Sequence, residues 1–171
     1  MSDIQLLLGK VSTGFRHDVI LRHPNGLVVR AHAVNLVPIA SCDDMLSILF
    51  ASSGYTSAHY IGLLPASPTL NSSDTMASKV WTELAAYGTP TVRPTLTIGT
   101  PSGGIVDNSA STVSFTMNAT GTMGGLFVAT SATIGETASM LRSEAAFTGG
   151  DESYVDGTVA TVTTSISMIS A

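Results

Sequence analysis

Basic side chains nearly vanish from the second half of this chain: between Thr95 and Ala171 the sole one is Arg142. Charged residues make up 11% of the sequence, against about 25% in an ordinary globular domain. Enzyme sites and nucleic-acid clefts need convergent ionisable groups, so this scarcity argues against both. Aromatics stand at 6%, too few to line a sugar-binding cleft. Cys42 is the single cysteine, which excludes an intrachain disulfide and a thiolate metal cluster. The apolar run in MSDIQLLLGKVSTGFRHD is too short to span a bilayer and lacks the basic region and cleavage site of a secretion signal. A soluble protein made in a cytoplasm, with no membrane partner, is the expectation.

The charge that is present is uneven. Residues 1–93 carry as many acidic as basic side chains. The net charge of -5 therefore comes from residues 94–171, where Arg142 faces Asp107, Glu136, Glu144, Asp151, Glu152 and Asp156. That sign repels phosphate backbones, so nucleic acid is not an expected partner. Abundant Ser, Thr, Gly and Val suit a β-rich domain that packs against other protein, and 171 residues suffice for one sizeable core.

A β-hairpin is the first recognisable unit. His17–His23 reads as a strand, Pro24-Asn25-Gly26 as a tight turn of the type I′ kind, and Leu27–Val37 as the return strand. The return strand places Val28, Arg30, His32 and Val34 on one face and Leu27, Val29, Ala31 and Ala33 on the other. Such a hairpin is marginal alone, so its apolar face must rest on something, which we expect to be another subunit. A helix is predicted near 43–53, capped by Ser41 or Asp43 and ended by Gly54. Tyr55–Leu64 reads as a strand, residues 65–78 as a long polar loop, and Lys79–Tyr87 as either helix or strand. Strands are predicted over Val92–Ile98, Ser111–Asn118, Met123–Thr130, Ser139–Phe147 and Thr158–Ile169, separated by Gly-bearing turns. This spacing predicts a mainly β fold, an antiparallel β-sandwich or jelly roll with one short helix and an N-terminal hairpin arm. The arm covers residues 1–40 and the body 41–171.

No constellation of residues reads as catalytic. His23 and His32 could approach each other across the hairpin, but no carboxylate is spaced to complete a metal site, so surface or interface histidines are expected. No Gly-x-Ser-x-Gly string is present, and Pro101-Ser-Gly-Gly reads as a positive-φ turn rather than a phosphate cradle. Glu136, Glu144, Asp151 and Glu152 read as solvated loop carboxylates. A Trp beside a long loop is either a core anchor or an interface hot spot, and core is the favoured reading of Trp81. Candidate partner-contact residues are Val19, Leu21, Asn25, Gly26, Val28, Arg30, His32 and Trp81. No cofactor or metal is expected.

The strings Tyr60-Ile-Gly-Leu-Leu, Asp74-Thr-Met-Ala-Ser, Trp81-Thr-Glu, Ser102-Gly-Gly-Ile-Val-Asp-Asn-Ser-Ala-Ser, Phe115-Thr-Met-Asn-Ala-Thr-Gly-Thr, Gly124-Gly-Leu-Phe-Val and Val155-Asp-Gly-Thr-Val resemble a family of small virion structural proteins of tailed bacteriophages. The resemblance covers about residues 45–171 and transfers no catalytic residue. The first forty or so residues depart from the family's usual start, which makes the hairpin a candidate docking arm. The resemblance implies a virion component, assembled in the host cytoplasm. Its most natural role is a capsid decoration (cement) protein that forms a homo-oligomer and contacts the major capsid protein or other virion proteins. A tail, collar or neck component is the alternative, and a carbohydrate-binding receptor module a weaker one.

Overall fold

The computed structural model describes residues 11–50 and 58–170. Eleven strands and one helix are seen among them. In order they are β1 (Val11–Arg22), β2 (Val28–Leu36), α1 (Ile39–Phe50), β3 (Tyr60–Leu64), β4 (Tyr87–Thr89), β5 (Ile105–Asp107), β6 (Val113–Met117), β7 (Gly121–Met123), β8 (Gly125–Ala129), β9 (Leu141–Phe147), β10 (Glu152–Tyr154) and β11 (Val159–Ser170). The strands of the main sheet run β3-β8-β9-β2-β1-β11-β6-β4, all antiparallel, with β5 added beside β11. A separate ribbon pairs β7 with β10. The fold is thus mainly β with one helix, as the turn spacing predicts.

Alternation of side chains sets the inside of this sheet. Val19 and Leu21 on β1, Ala31 and Ala33 on β2, Ile61 and Leu63 on β3, and Phe115 and Met117 on β6 all enter one apolar cluster. Leu126 and Val128 on β8 and Ala160 and Val162 on β11 join it. Strands from both ends of the sheet share this core, so the sheet is curled around it in a sandwich-like way. Residues 84–89 connect the two ends directly. Leu84 donates its N–H to Leu63 on β3, and β4, three residues on, pairs with β6.

The hairpin is part of this sheet and not a separate arm, which corrects the division at residue 40. All twelve residues of β1 pair with β11, from Val11 opposite Ser170 to Arg22 opposite Val159. On its other side β2 pairs with β9. The surface that supports the hairpin's apolar face therefore lies in the same chain. The turn also differs from a type I′ pair. Gly26 N–H donates to His23 O at 3.0 Å, placing Pro24 and Asn25 at the central positions, and Gly26 follows at φ 87°. Proline at the first central position and a left-handed glycine after the turn fit this geometry.

Other boundaries move for local reasons. Helix α1 begins at Ile39, with Ser41 and Cys42 N–H donating to Pro38 O, so neither Ser41 nor Asp43 caps it. Its predicted end at Gly54 and the first residues of the strand from Tyr55 lie outside the described residues. Val92–Ile98 forms no ladder strand, because Pro94 has no N–H to give. It lies along β3 instead, with Ile61 N–H donating to Pro94 O and Leu96 N–H to His59 O. Of the segment Lys79–Tyr87, Tyr87 opens β4 and the rest is neither helix nor regular strand apart from the bridge of Leu84 to Leu63.

On the outer side of β3, β8 and β9, the chain between residues 65 and 83 forms a second layer. Leu64, Met76, Trp81, Phe127, Ala129 and Leu141 make its small core. Gly62 is required here, since a Cβ would overlap the Phe127 ring. Gly124 is required in the same sense, since a Cβ there would overlap the backbone of Ala66 and Ser67.

Candidate functional site

Three of the candidate contact residues are inside the molecule and cannot meet a partner. Val19 and Leu21 face the main core, with exposures of 1% and 0%. Trp81 is buried between Phe127, at 4.8 Å between ring centroids, and Lys79, whose ammonium lies 5.1 Å from the indole centroid. The favoured core role of Trp81 therefore holds. Asn25, Gly26, Val28, Arg30 and His32 remain at the surface.

These exposed residues belong to the outer face of β1, β2, β11 and β6. Register places Asp18 beside His32 and Thr163, Ile20 beside Arg30 and Thr161, and Arg22 beside Val28 and Val159. Ser114 and Thr116 continue the last two rows on β6. The Arg16 guanidinium bonds Asp18 at 3.3 Å, and Asp18 also pairs with His32 Nδ1. Arg22 and Arg30 project beside Ile20 and Val28. Leu27, at 54% exposure, and Val28, at 50%, give the hairpin tip an apolar edge. No described element covers this face. Arginine set among partly exposed aliphatic side chains is the composition of a protein-binding surface.

The rest of the described surface has the opposite sign. Arg93 is locked in a buried bidentate pair with Glu83 at 2.9 and 2.8 Å, and Arg142 bonds Asp44 at 2.5 Å. That leaves Lys79 as the other basic group outside the hairpin face, half-buried, against Asp43, Asp107, Glu136, Asp151, Glu152 and Asp156. Positive charge is thus gathered on the hairpin face of an acidic protein.

The histidines do not converge. His17 is wholly buried, its Nδ1 2.9 Å from Thr164 Oγ1 and its Nε2 3.4 Å from Ser143 Oγ. Burial holds its pKa down to about 3, against a smaller opposing pull from Asp18, so it is neutral at pH 7. The expectation of surface or interface histidines therefore fails at His17. Asn35 extends the chain of polar groups, donating to Ser143 Oγ at 3.1 Å and accepting the Phe15 N–H at 2.8 Å where β2 parts from β1. His23 sits at the turn beside Thr158 and His32 opposite Asp18. Among the described residues no group of three or more His, Cys, Asp or Glu is placed to hold a metal ion.

Glu144 is not a loop carboxylate. It lies on β9 under the second layer, fully buried, where Trp81 Nε1–H donates to one oxygen at 2.6 Å and Asn71 N–H to the other at 3.1 Å. Burial raises its pKa; the bond from Trp81 lowers it and the nearby Asp74 raises it further. Asp151 is also engaged, accepting from Ser67 N–H at 2.8 Å and Ser67 Oγ at 2.7 Å. The Pro101-Ser-Gly-Gly segment is the expected turn, with Gly103 at φ 59° and Gly104 at φ 77°.

An apolar groove escaped the sequence reading. It runs at one end of the sheet between α1, the turn before β5, and the outer ends of β1 and β11, in two connected cavities of about 360 and 400 Å³. Phe15, Met45, Pro101, Val106 and Ile166 line both. These residues come from four separate segments, so no local pattern announces them.

Four of the strings that carry the phage resemblance meet in space. Gly62 of the first lies opposite Phe127 of the Gly124-Gly-Leu-Phe-Val string across the β3–β8 ladder. Trp81 packs on Phe127, and Asp74 lies close to Glu144 beneath the same layer. Comparison of the chain with known protein families, curated proteins and solved structures gives no match.

Proposed function

We propose that this protein is a structural component of a tailed-phage virion, most naturally a capsid decoration protein that bridges major capsid subunits. The observation that carries the reading is the uncovered outer face of the β1–β2 hairpin, where Arg22, Arg30, Leu27 and Val28 stand together. A cement protein works by adding buried area across subunit boundaries, and such a face supplies area and charge without chemistry. The strings that resemble a virion family support the same reading. They are spent chiefly on close packing, at Gly62, Gly124 and Trp81, and reach the docking face only at Thr116 and Val159.

The test is a copy count. Quantitative mass spectrometry of particles purified from a host producing this chain should find it in numbers comparable with the major capsid protein. A copy number matching a single ring would move it to the collar or tail, and absence from particles would overturn the virion reading. Replacing Arg22 and Arg30 with Glu should abolish incorporation while leaving the purified protein folded.

A further inference from the structure

We infer that the outer face of the hairpin docks onto a second copy of this chain, through Asp156 on the turn that follows β10 and Glu152 at the start of that strand. The inference stands without the virion reading and concerns the free protein: in solution the second copy occupies the face that the virion reading gives to the capsid. Its first support is charge. Arg16, Arg22 and Arg30 share one face with one carboxylate, Asp18, while the remaining exposed charge among the described residues is predominantly acidic. Two copies therefore attract each other face to turn, and repel in arrangements that oppose like regions.

Its second support is placement. Asp156 and the 43%-exposed Val155 lie on the turn between β10 and β11, with Glu152 at the start of β10. This turn abuts the hairpin tip of its own molecule. Thr158 Oγ1 is 3.3 Å from His23 Nδ1, and a Cβ built on Gly157 would come within 3.2 Å of Pro24. A basic patch and an acidic patch that adjoin on one surface can be exchanged around a two-fold axis. The Arg22 and Arg30 of each copy then meet Glu152 and Asp156 of the other, the self-complementary arrangement of an isologous dimer.

Its third support is composition. Val28 and Leu27 on the hairpin and Val155 on the turn are each more than two-fifths exposed, so both halves of the contact carry an aliphatic group beside their charges. The strands of the face give a platform roughly 20 Å on a side. This is about half of the ~800 Å² that each partner buries in a standard interface, the scale of a weak and salt-sensitive association.

Light scattering coupled to size exclusion tests the inference on the full chain. At low ionic strength the mass should be that of a dimer, and high sodium chloride should return it to the monomer. The double variant Arg22→Glu/Arg30→Glu and the double variant Glu152→Lys/Asp156→Arg should each be monomeric at low salt. An equimolar mixture of the two should recover the dimer, because each supplies the charge the other has lost. Circular dichroism establishes that the variants are folded, and the milder Arg30→Gln should weaken the wild-type dimer without reversing charge. A wild-type monomer at low salt would overturn the inference, as would dimers unaffected by either charge reversal or a mixture that stays monomeric.

Discussion

Trp81 donates its indole N–H to the buried carboxylate of Glu144 at 2.6 Å, fastening the second layer to the middle of β9. The bond ties a residue of an irregular loop to a strand 63 positions further along the chain. Trp81→Phe should keep most of the apolar packing against Phe127 but leave Glu144 short of a donor, costing about 1–3 kcal/mol. The effect should depend on pH. Burial raises the Glu144 pKa, so the folded state favours the protonated acid. That contribution is complete below the unfolded value and is lost as pH rises through the folded one. Glu144→Gln should therefore be relatively better tolerated as pH rises, read from urea melts of both proteins across the acid range.

His17 should give the opposite pH dependence. Its pKa falls from 6.5 to about 3 on folding, so the unfolded chain binds a proton that the folded one refuses. Stability should fall by about 1.4 kcal/mol per pH unit as pH drops below 6.5, levelling off near the folded value. His17→Leu removes this slope while losing the bonds to Thr164 and Ser143. The difference between the two proteins in denaturant melts should narrow steadily from pH 7 to pH 4. A constant difference would contradict the buried, neutral imidazole.

The buried pair of Arg93 and Glu83 should show strong coupling. Arg93 also donates to Ser131 O at 3.0 Å and stacks over Phe127, its guanidinium carbon 5.1 Å from the ring centroid. Removing one partner strands the other charge, so Arg93→Met or Glu83→Leu alone should cost about 3–5 kcal/mol. The double replacement should cost clearly less than the sum. A double-mutant cycle in urea measures the difference.

Two glycines should separate steric need from backbone need. At Gly26 a Cβ has nothing within 4 Å, and only φ 87° opposes it. Gly26→Ala should cost about 1–2 kcal/mol. At Gly124 the added carbon meets backbone atoms of Ala66 and Ser67, which cannot rotate away. Gly124→Ala should cost more, about 3 kcal/mol, and should break the bonds between Ser67 and Asp151. Proteolysis within residues 65–68 reports that second effect.

Much of the sheet is readable from period-two alternation. On β11, Ala160, Val162 and Thr164 are buried while Val159, Thr161, Thr163 and Ser165 are half-exposed, and the residue types alternate in step. The same holds for Val28, Arg30 and His32 against Ala31 and Ala33 on β2. What alternation cannot supply is the partner of each strand. Val19 and Leu21 look like a docking face only while the strands that cover their core are unknown, and those strands come mainly from the far half of the chain. The short β4, β5, β7 and β10 were equally hidden, since three residues hold too little pattern. Glu144 reads as a solvated acid because nothing near it in sequence predicts Trp81 above it. The exposed candidates Asn25, Gly26, Val28, Arg30 and His32 were legible because a hairpin is a local structure.

The pairing of β1 with β11 also sets an order of events during synthesis. Strand β1 leaves the ribosome well before its ladder partner, because β11 pairs with it from more than a hundred positions further along the chain, Arg22 opposite Val159 and Val11 opposite Ser170. Until then β1 has β2 on one side and an open row of backbone donors and acceptors on the other, facing any other nascent chain. Contacts this far apart in sequence also make for slow closure. The segment that completes the sheet is therefore the one whose delay exposes it most, and co-translational aggregation should be governed by how soon β11 arrives.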